Sequence, residues 1–235
     1  MKTTFKALMI AVAILVMGVT VSLAQDFEKG LEAYLKGDYT TTLSEFRPLA
    51  EQGNASAQYN LGVMYANGQG VTQDYAEAVN WYRKAAEQGH AEAQYNMGVM
   101  YDNGQGVTQD YAEAVNWYRK AAEQGNASAQ YNLGMMYANG QGVTQDYAEA
   151  VNWYRKAAEQ GDDSAQSNLG LMYVMGKGVT QDNVYAHMWW NIAASNGIEK
   201  AEKNRDRVAK EMTASQVGEA QKLARECVQK NYKGC

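Results

Sequence analysis

A sixteen-residue phrase, Asp-Tyr-Ala-Glu-Ala-Val-Asn-Trp-Tyr-Arg-Lys-Ala-Ala-Glu-Gln-Gly, begins at Asp74 and returns unchanged at Asp110 and Asp146, so the chain repeats every 36 residues. Setting 53–88 over 125–160 leaves one difference, Val63 against Met135, and setting it over 89–124 leaves four. Copies this close must fold alike and bury alike. The core is therefore built by stacking each unit on its neighbours rather than by closing one globule.

Before the repeats, Lys2 and Lys6 lead into an uncharged stretch from Ala7 to Val21, followed by Ser22-Leu23-Ala24 with small residues at the cleavage subsites. This arrangement predicts a signal peptide over 1–24, cut after Ala24, and so a periplasmic or secreted address. The fifteen apolar residues fall short of the ~20 that a membrane span needs. Cleavage removes two lysines and no acid, leaving 19 basic against 26 acidic groups and a net charge of −7. A chain this acidic is not expected to bind nucleic acid. Residues 197–235 run the other way, with nine Lys or Arg against six Asp or Glu, which could orient a partner or form a solvated helix face.

Within a unit, Ala57, Leu61, Met64 and Tyr65 recur at helical spacing, as do Ala78, Trp81, Tyr82, Ala85 and Ala86 after a short loop. Asn54 is placed to cap the first helix, and Gly68 and Gly70 to end it. Asp74, with Glu77 three residues on, reads as a capping box for the second helix, which Gly89 stops. Each unit is thus a pair of antiparallel amphipathic helices, and the fold class is all-α, an α/α solenoid of stacked hairpins.

The set Ala57, Leu61-Gly62, Tyr65, Gly68-x-Gly70-Val71, Asp74, Ala78, Trp81-Tyr82, Ala85-Ala86 and Gly89 resembles the Sel1-like repeat, a relative of the tetratricopeptide repeat, over roughly residues 26–197. The resemblance implies a curved superhelix used as an adaptor for other proteins, often in the bacterial envelope. Some disulfide-rich members of that group are associated with β-lactam binding or hydrolysis. No serine here is followed by lysine at the third position, and the paired cysteines of that subgroup are absent.

The ends depart from the pattern. Residues 25–52 read as a truncated N-terminal capping repeat, with Lys36-Gly37 in place of the long loop and Pro48 expected to kink its second helix. Full repeats follow at 53–88, 89–124 and 125–160. A divergent repeat spans 161–196, in which Tyr82, Arg83 and Lys84 give way to Trp190, Asn191 and Ile192. The more apolar face made there needs a cover. Residues 197–235 are expected to supply it as a helical cap, with Val208 and Met212, and with Thr213-x-x-Gln216 opening a last helix that carries Val217, Ala220, Leu223 and Cys227.

Cys227 and Cys235 are the only cysteines, and a secreted address favours a disulfide between them. A free buried Cys227 or pairing with another chain are the alternatives. His90 takes the place of Asn54 and Asn126 and reads as a surface residue at a helix start. His187 replaces Val79 beside Trp189 and Trp190 and reads as a partly buried, hydrogen-bonded ring. Neither has the neighbours of a metal site or a catalytic triad, so no metal, no cofactor and no catalytic residue is expected. Gly68-Gln69-Gly70-Val71-Thr72-Gln73 lacks the lysine and the preceding strand of a phosphate loop. The sequons at Asn54 and Asn126 coincide with helix caps.

What remains is surface. The first-helix stripe facing away from its partner helix is Tyr59, Asn60, Val63 and Asn67, repeated as Tyr95, Asn96, Val99 and Asn103, and as Tyr131, Asn132, Met135 and Asn139. In a tetratricopeptide-like superhelix this stripe lines the concave side. Aromatic rings flanked by amides suit an extended peptide, although packing between repeats would explain the tyrosines equally well. The expected function is a noncatalytic protein-interaction scaffold of the bacterial envelope, monomeric, holding a peptide segment or helix of a protein partner. A hydrolase of β-lactam or peptidoglycan-like substrates stands as the alternative from family analogy. A secreted or surface factor meeting host proteins differs by address alone.

Overall fold

The structure, a computed structural model, describes residues 26–235, so the expected signal peptide and its cleavage point lie outside the described residues. Among the described residues every regular element is a helix: α1 (26–35), α2 (Tyr39–Glu51), α3 (Ala55–Asn67), α4 (Tyr75–Glu87), α5 (Ala91–Asn103), α6 (Tyr111–Glu123), α7 (Ala127–Asn139), α8 (Tyr147–Ala158), α9 (Asp163–Met175), α10 (Asn183–Ser195), α11 (Glu199–Ala209) and α12 (Ala214–Gln229). The helices form two compact units.

The first unit takes the described residues up to Ala93, together with Gln105–Val107. Its core is Phe46, Leu49, Ala50, Ala57, Leu61, Met64 and Trp81, against which Phe27, Tyr34, Tyr39, Leu43 and Tyr65 pack. The helix ends are set by side chains. The Asn54 amide oxygen accepts from Ala57 N at 2.9 Å, and the Asp74 carboxylate accepts from both Ala76 N and Glu77 N. Only this half of the expected capping box is seen, because Glu77 leans along the helix toward Asn80 Nδ2 at 3.4 Å. Helix α2 runs on through Pro48 to Glu51, and the Pro48 carbonyl still accepts from Gln52 N. The hairpin closes tightly: a Cβ on Gly62 would lie 2.5 Å from the Tyr82 ring, so only glycine lets α3 approach α4 this closely. Buried Gln58 ties one hairpin to the next, donating to Ala50 O at 3.0 Å while its own oxygen accepts from Gln88.

The second unit takes Gln94–Gly104 and Thr108–Cys235. It repeats the same devices: Gly98 lies under Tyr118 and Gly134 under Tyr154, and Gln94 accepts from Gln124 and Gln130 from Gln160. In the divergent hairpin α9–α10, Trp189 and Trp190 are almost fully buried. The cover is the C-terminal segment. Ala201 and Val208 of α11 close over Trp190, with Met212 at the edge, while Ala224 and Cys227 of α12 join the cluster around Trp189 and Ile192. Helix α12 starts at a full capping box between Thr213 and Gln216. Cys227 and Cys235 are joined as a disulfide with their Cα atoms 5.6 Å apart, and beyond α12 the chain returns to α8, where Gly234 N donates to Glu159 at 3.2 Å.

A candidate peptide-binding face

Because α3, α5, α7 and α9 share one pattern, their outward stripes repeat. In the first unit Tyr59, Asn60 and Val63 are half-buried and Asn67 is exposed. The Tyr59 ring stacks on His90 at 4.8 Å and lies 6.0 Å from Tyr82, and Asn60 Nδ2 donates to Ser56 O at 2.8 Å. His90 is therefore not the bare surface residue expected. It sits half-buried against Tyr59, and its Nδ1 takes the cap position of Asn54, 3.4 Å from Ala93 N. Burial lowers its pKa, against the pull of Glu92.

In the second unit Tyr95, Asn96 and Val99, and Tyr131, Asn132 and Met135, are likewise half-buried, with Asn103 and Asn139 exposed. Tyr95 meets Tyr118 of α6 at 5.8 Å, and Tyr131 meets Tyr154 of α8 at 5.9 Å. Asn132 of the following hairpin acts on both Tyr95 and Tyr118, favouring their charged form, and Asn168, its counterpart in the next hairpin, acts in the same way on Tyr131 and Tyr154. Burial holds all four phenols above the usual tyrosine range. The ladder is thus partly a packing device: each rung sets a first-helix tyrosine against a second-helix tyrosine. The second-helix tyrosines sit on the apolar face that their spacing after Trp81, Trp117 and Trp153 predicts, but their pairing with the first-helix tyrosines is not written in that spacing.

Two carboxylates belong to the same face: Asp102, whose place there among the few differences between copies leans toward binding, and Asp162, to which the sequence assigns no role. Asp102, where Ala66 and Ala138 stand in sister copies, accepts from Tyr118 Oη at 3.3 Å. Asp162, where Asn54 and Asn126 stand, caps α9 by accepting from Ala165 N at 2.7 Å and lies close enough to Tyr95 and Tyr131 to raise their pKa. Burial raises the pKa of both acids.

The rung ends at the divergent hairpin. Ser167 replaces tyrosine, and the Trp190 indole N–H donates to the Ser167 carbonyl at 3.0 Å. The positions of Val63 and Asn67 become Leu171 and Met175, which are 39% and 48% exposed. The expected cover thus reaches Trp189 and Trp190 but not these two side chains. Leu171 borders a groove of about 240 Å³ whose floor includes Val174, Trp190 and Val208 and whose rim includes Arg207 and Glu211.

The second helices carry the basic groups, and those groups are engaged. In the second unit Lys120 lies over Trp117 at 4.1 Å and Lys156 over Trp153 at 3.9 Å. Arg119 donates to Tyr137 Oη at 2.9 Å and Arg155 to Tyr173 Oη at 3.4 Å. In the first unit Lys84 lies over Trp81 at 4.0 Å and Arg47 donates to Tyr65 Oη at 3.1 Å. Also in the second unit, His187 is buried more completely than expected, at 3% exposure, and its Nδ1 finds no hydrogen-bond partner among the described residues. Among the described residues no three His, Cys, Asp or Glu side chains are grouped to hold a metal ion, and no helix is long and apolar enough to cross a membrane.

Helical hairpins repeated in tandem, each closed by a glycine under an aromatic ring, define a helical solenoid of the tetratricopeptide-like class. The Sel1 repeat pattern matches residues 55–90, 91–126, 127–162 and 163–198, and the chain belongs to the Sel1 repeat family. A protective antigen present in uropathogenic Escherichia coli strains, displaying the same repeat fold, is 40% identical with a TM-score of 0.78 over 87% of this chain. The chain spans about half of that protein, 46% of its length. A Sel1 repeat protein from Oxalobacter formigenes is 34% identical with a TM-score of 0.72, covering 84% of this chain and 85% of its own. No curated protein sequence matches the chain. Sel1 repeat proteins are generally scaffolds for protein–protein interaction.

Proposed function

We propose that this protein is a noncatalytic scaffold of the bacterial envelope, holding a peptide segment or helix of a partner protein on the Tyr/Asn stripe of its first helices. The observation that carries the reading is the repetition of that stripe, half-exposed at the same positions in successive hairpins, while in the second helices Lys120 and Lys156 lie over Trp117 and Trp153, and Arg119 and Arg155 donate to Tyr137 and Tyr173. Exposed amides at Asn67, Asn103 and Asn139 can meet a peptide backbone with both donor and acceptor. Half-exposed Tyr59, Tyr95 and Tyr131 add ring surface without having to become ordered on binding. The envelope address rests on the expected signal peptide. The likeness to a protective antigen favours exposure of the protein to a host as a second reading of its address.

The test keeps the packing tyrosines in place and replaces only the exposed amides, Asn67→Ala, Asn103→Ala and Asn139→Ala together. Crosslinked capture is then carried out separately on the periplasm and on the culture medium of the producing cell. Capture by the native protein in one of these fractions, lost in the triple variant with helical circular dichroism unchanged, is the expected result. Equal capture by the variant rejects the stripe, and the fraction that holds the partner decides the address.

A further inference from the structure

Between the four repeats, the first helix and its cap change formal charge at four positions, and every change adds a carboxylate: Glu92, Asp102, Asp162 and Asp163. No lysine or arginine occurs in α3, α5, α7 or α9. Glu92 and Asp102 stand in a near-identical copy and Asp162 and Asp163 in the divergent one, and in both the charge added to the first helix and its cap has one sign. The fold does not require these acids, because the sister copies close the same hairpin with Ala66 or Ala138 in place of Asp102, and cap the same helix with Asn54 or Asn126 in place of Asp162.

In the second unit the two acids stand where they cost the free protein something. Asp102 is half-buried beside Tyr118, and Asp162 is half-buried at the start of α9, where its charge reaches the Tyr95 and Tyr131 phenols. Neither forms an ion pair among the described residues. Arg119 and Arg155 are directed to Tyr137 and Tyr173. The carboxylates have lost water without gaining a cation, as the upward displacement of both acids records. Tyrosine rings bordered by carboxylates attract cationic side chains through the ring face and through the charge together.

We propose that the first-helix face of the second unit takes a peptide segment presenting lysine or arginine side chains, which rest against Tyr95 and Tyr131 with Asp102 and Asp162 as counter-charges. This rests on the scaffold reading of that face and adds the chemistry of its partner. The substitutions in the sister copies suggest how the test keeps the protein folded: Asp102→Ala and Asp162→Asn restore residues that those copies already use at the same places.

Short fluorescein-labelled peptides alternating leucine with lysine, glutamine or glutamate are titrated into the purified protein at low ionic strength, with anisotropy as the readout. The lysine peptide binds tightest, the double variant D102A/D162N weakens it by about threefold for each acid removed, and added salt weakens it further. Glu113→Gln with Glu149→Gln removes the same charge from the second helices and leaves the lysine peptide bound within about twofold, which separates the site from general attraction to an acidic protein. The proposal is overturned if the glutamine or glutamate peptide binds as tightly as the lysine peptide, or if D102A/D162N weakens binding no more than the Glu113 and Glu149 changes. If the glutamine peptide binds equally well and is lost on replacing the exposed amides, the scaffold reading survives and only the charge preference falls. If none of the three binds, both fall.

Discussion

His187 occupies the position held by Val79, Val115 and Val151 in the three regular repeats, and it is as buried as those valines. Burial lowers its pKa, and the charge of Arg205 lowers it further, against a smaller pull from Asp206. The folded ring therefore takes up a proton at lower pH than the unfolded ring, whose pKa is near 6.5. As pH falls through that value the unfolded state binds the proton first, so stability is lost from about pH 6.5 downward until the folded ring also protonates. Replacing it with the residue of the sister copies, His187→Val, removes this loss. Thermal melts at pH 7 and pH 5 should show the native protein dropping by more than the variant, and equal drops would mean that His187 is not the group responsible. Sequence placed this ring beside Trp189 and Trp190 but supposed it hydrogen-bonded. Period and spacing report which positions face inward, whereas the unpartnered Nδ1 depends on what α10 meets in three dimensions.

At the scale of elements, caps and periodicity read well. Asn54, Asp74, Gly68 and the Thr213–Gln216 box each mark a helix end that the structure shows, because capping is a contact between residues two to four apart and is written locally. The stripe was less legible. Its tyrosines recur plainly in the sequence, but their ring contacts with Tyr118 and Tyr154 join first helix to second, a relation that a period places at equal intervals without saying which atoms meet. Leu171 and Met175 stayed exposed for the same reason, since the reach of the C-terminal helices over α9 is set by packing. The disulfide belongs to this scale too. Cys227 lies on the buried side of α12, and the loop it closes carries Tyr232 back against the cluster around Trp189. A closed loop of this length contributes about 2 kcal/mol. Cys235→Ser should lower the melting temperature by a few degrees and leave one titratable thiol where the native protein has none. Two free thiols in the native protein would contradict the pairing.

For the molecule as a whole, near-identical hairpins divide the work between their two helices. The second helices carry the Trp–Lys and Arg–Tyr contacts, and the first helices carry glycine, amides, half-exposed rings and carboxylates. Stacking identical units repeats this division, which is why a chain with so little internal variation can present the same chemistry at each hairpin. The proposed function has partners meeting the first-helix stripe and not the second helices. It is tested most directly by placing a photocrosslinking side chain singly at Asn67, Asn103 and Asn139, and for comparison at Glu77, Glu113 and Glu149, then illuminating the producing cell and looking for adducts of the protein on a gel. An adduct of one defined mass from the three asparagine positions and none from the glutamate positions is expected. Adducts from the glutamate positions with none from the asparagines would contradict it.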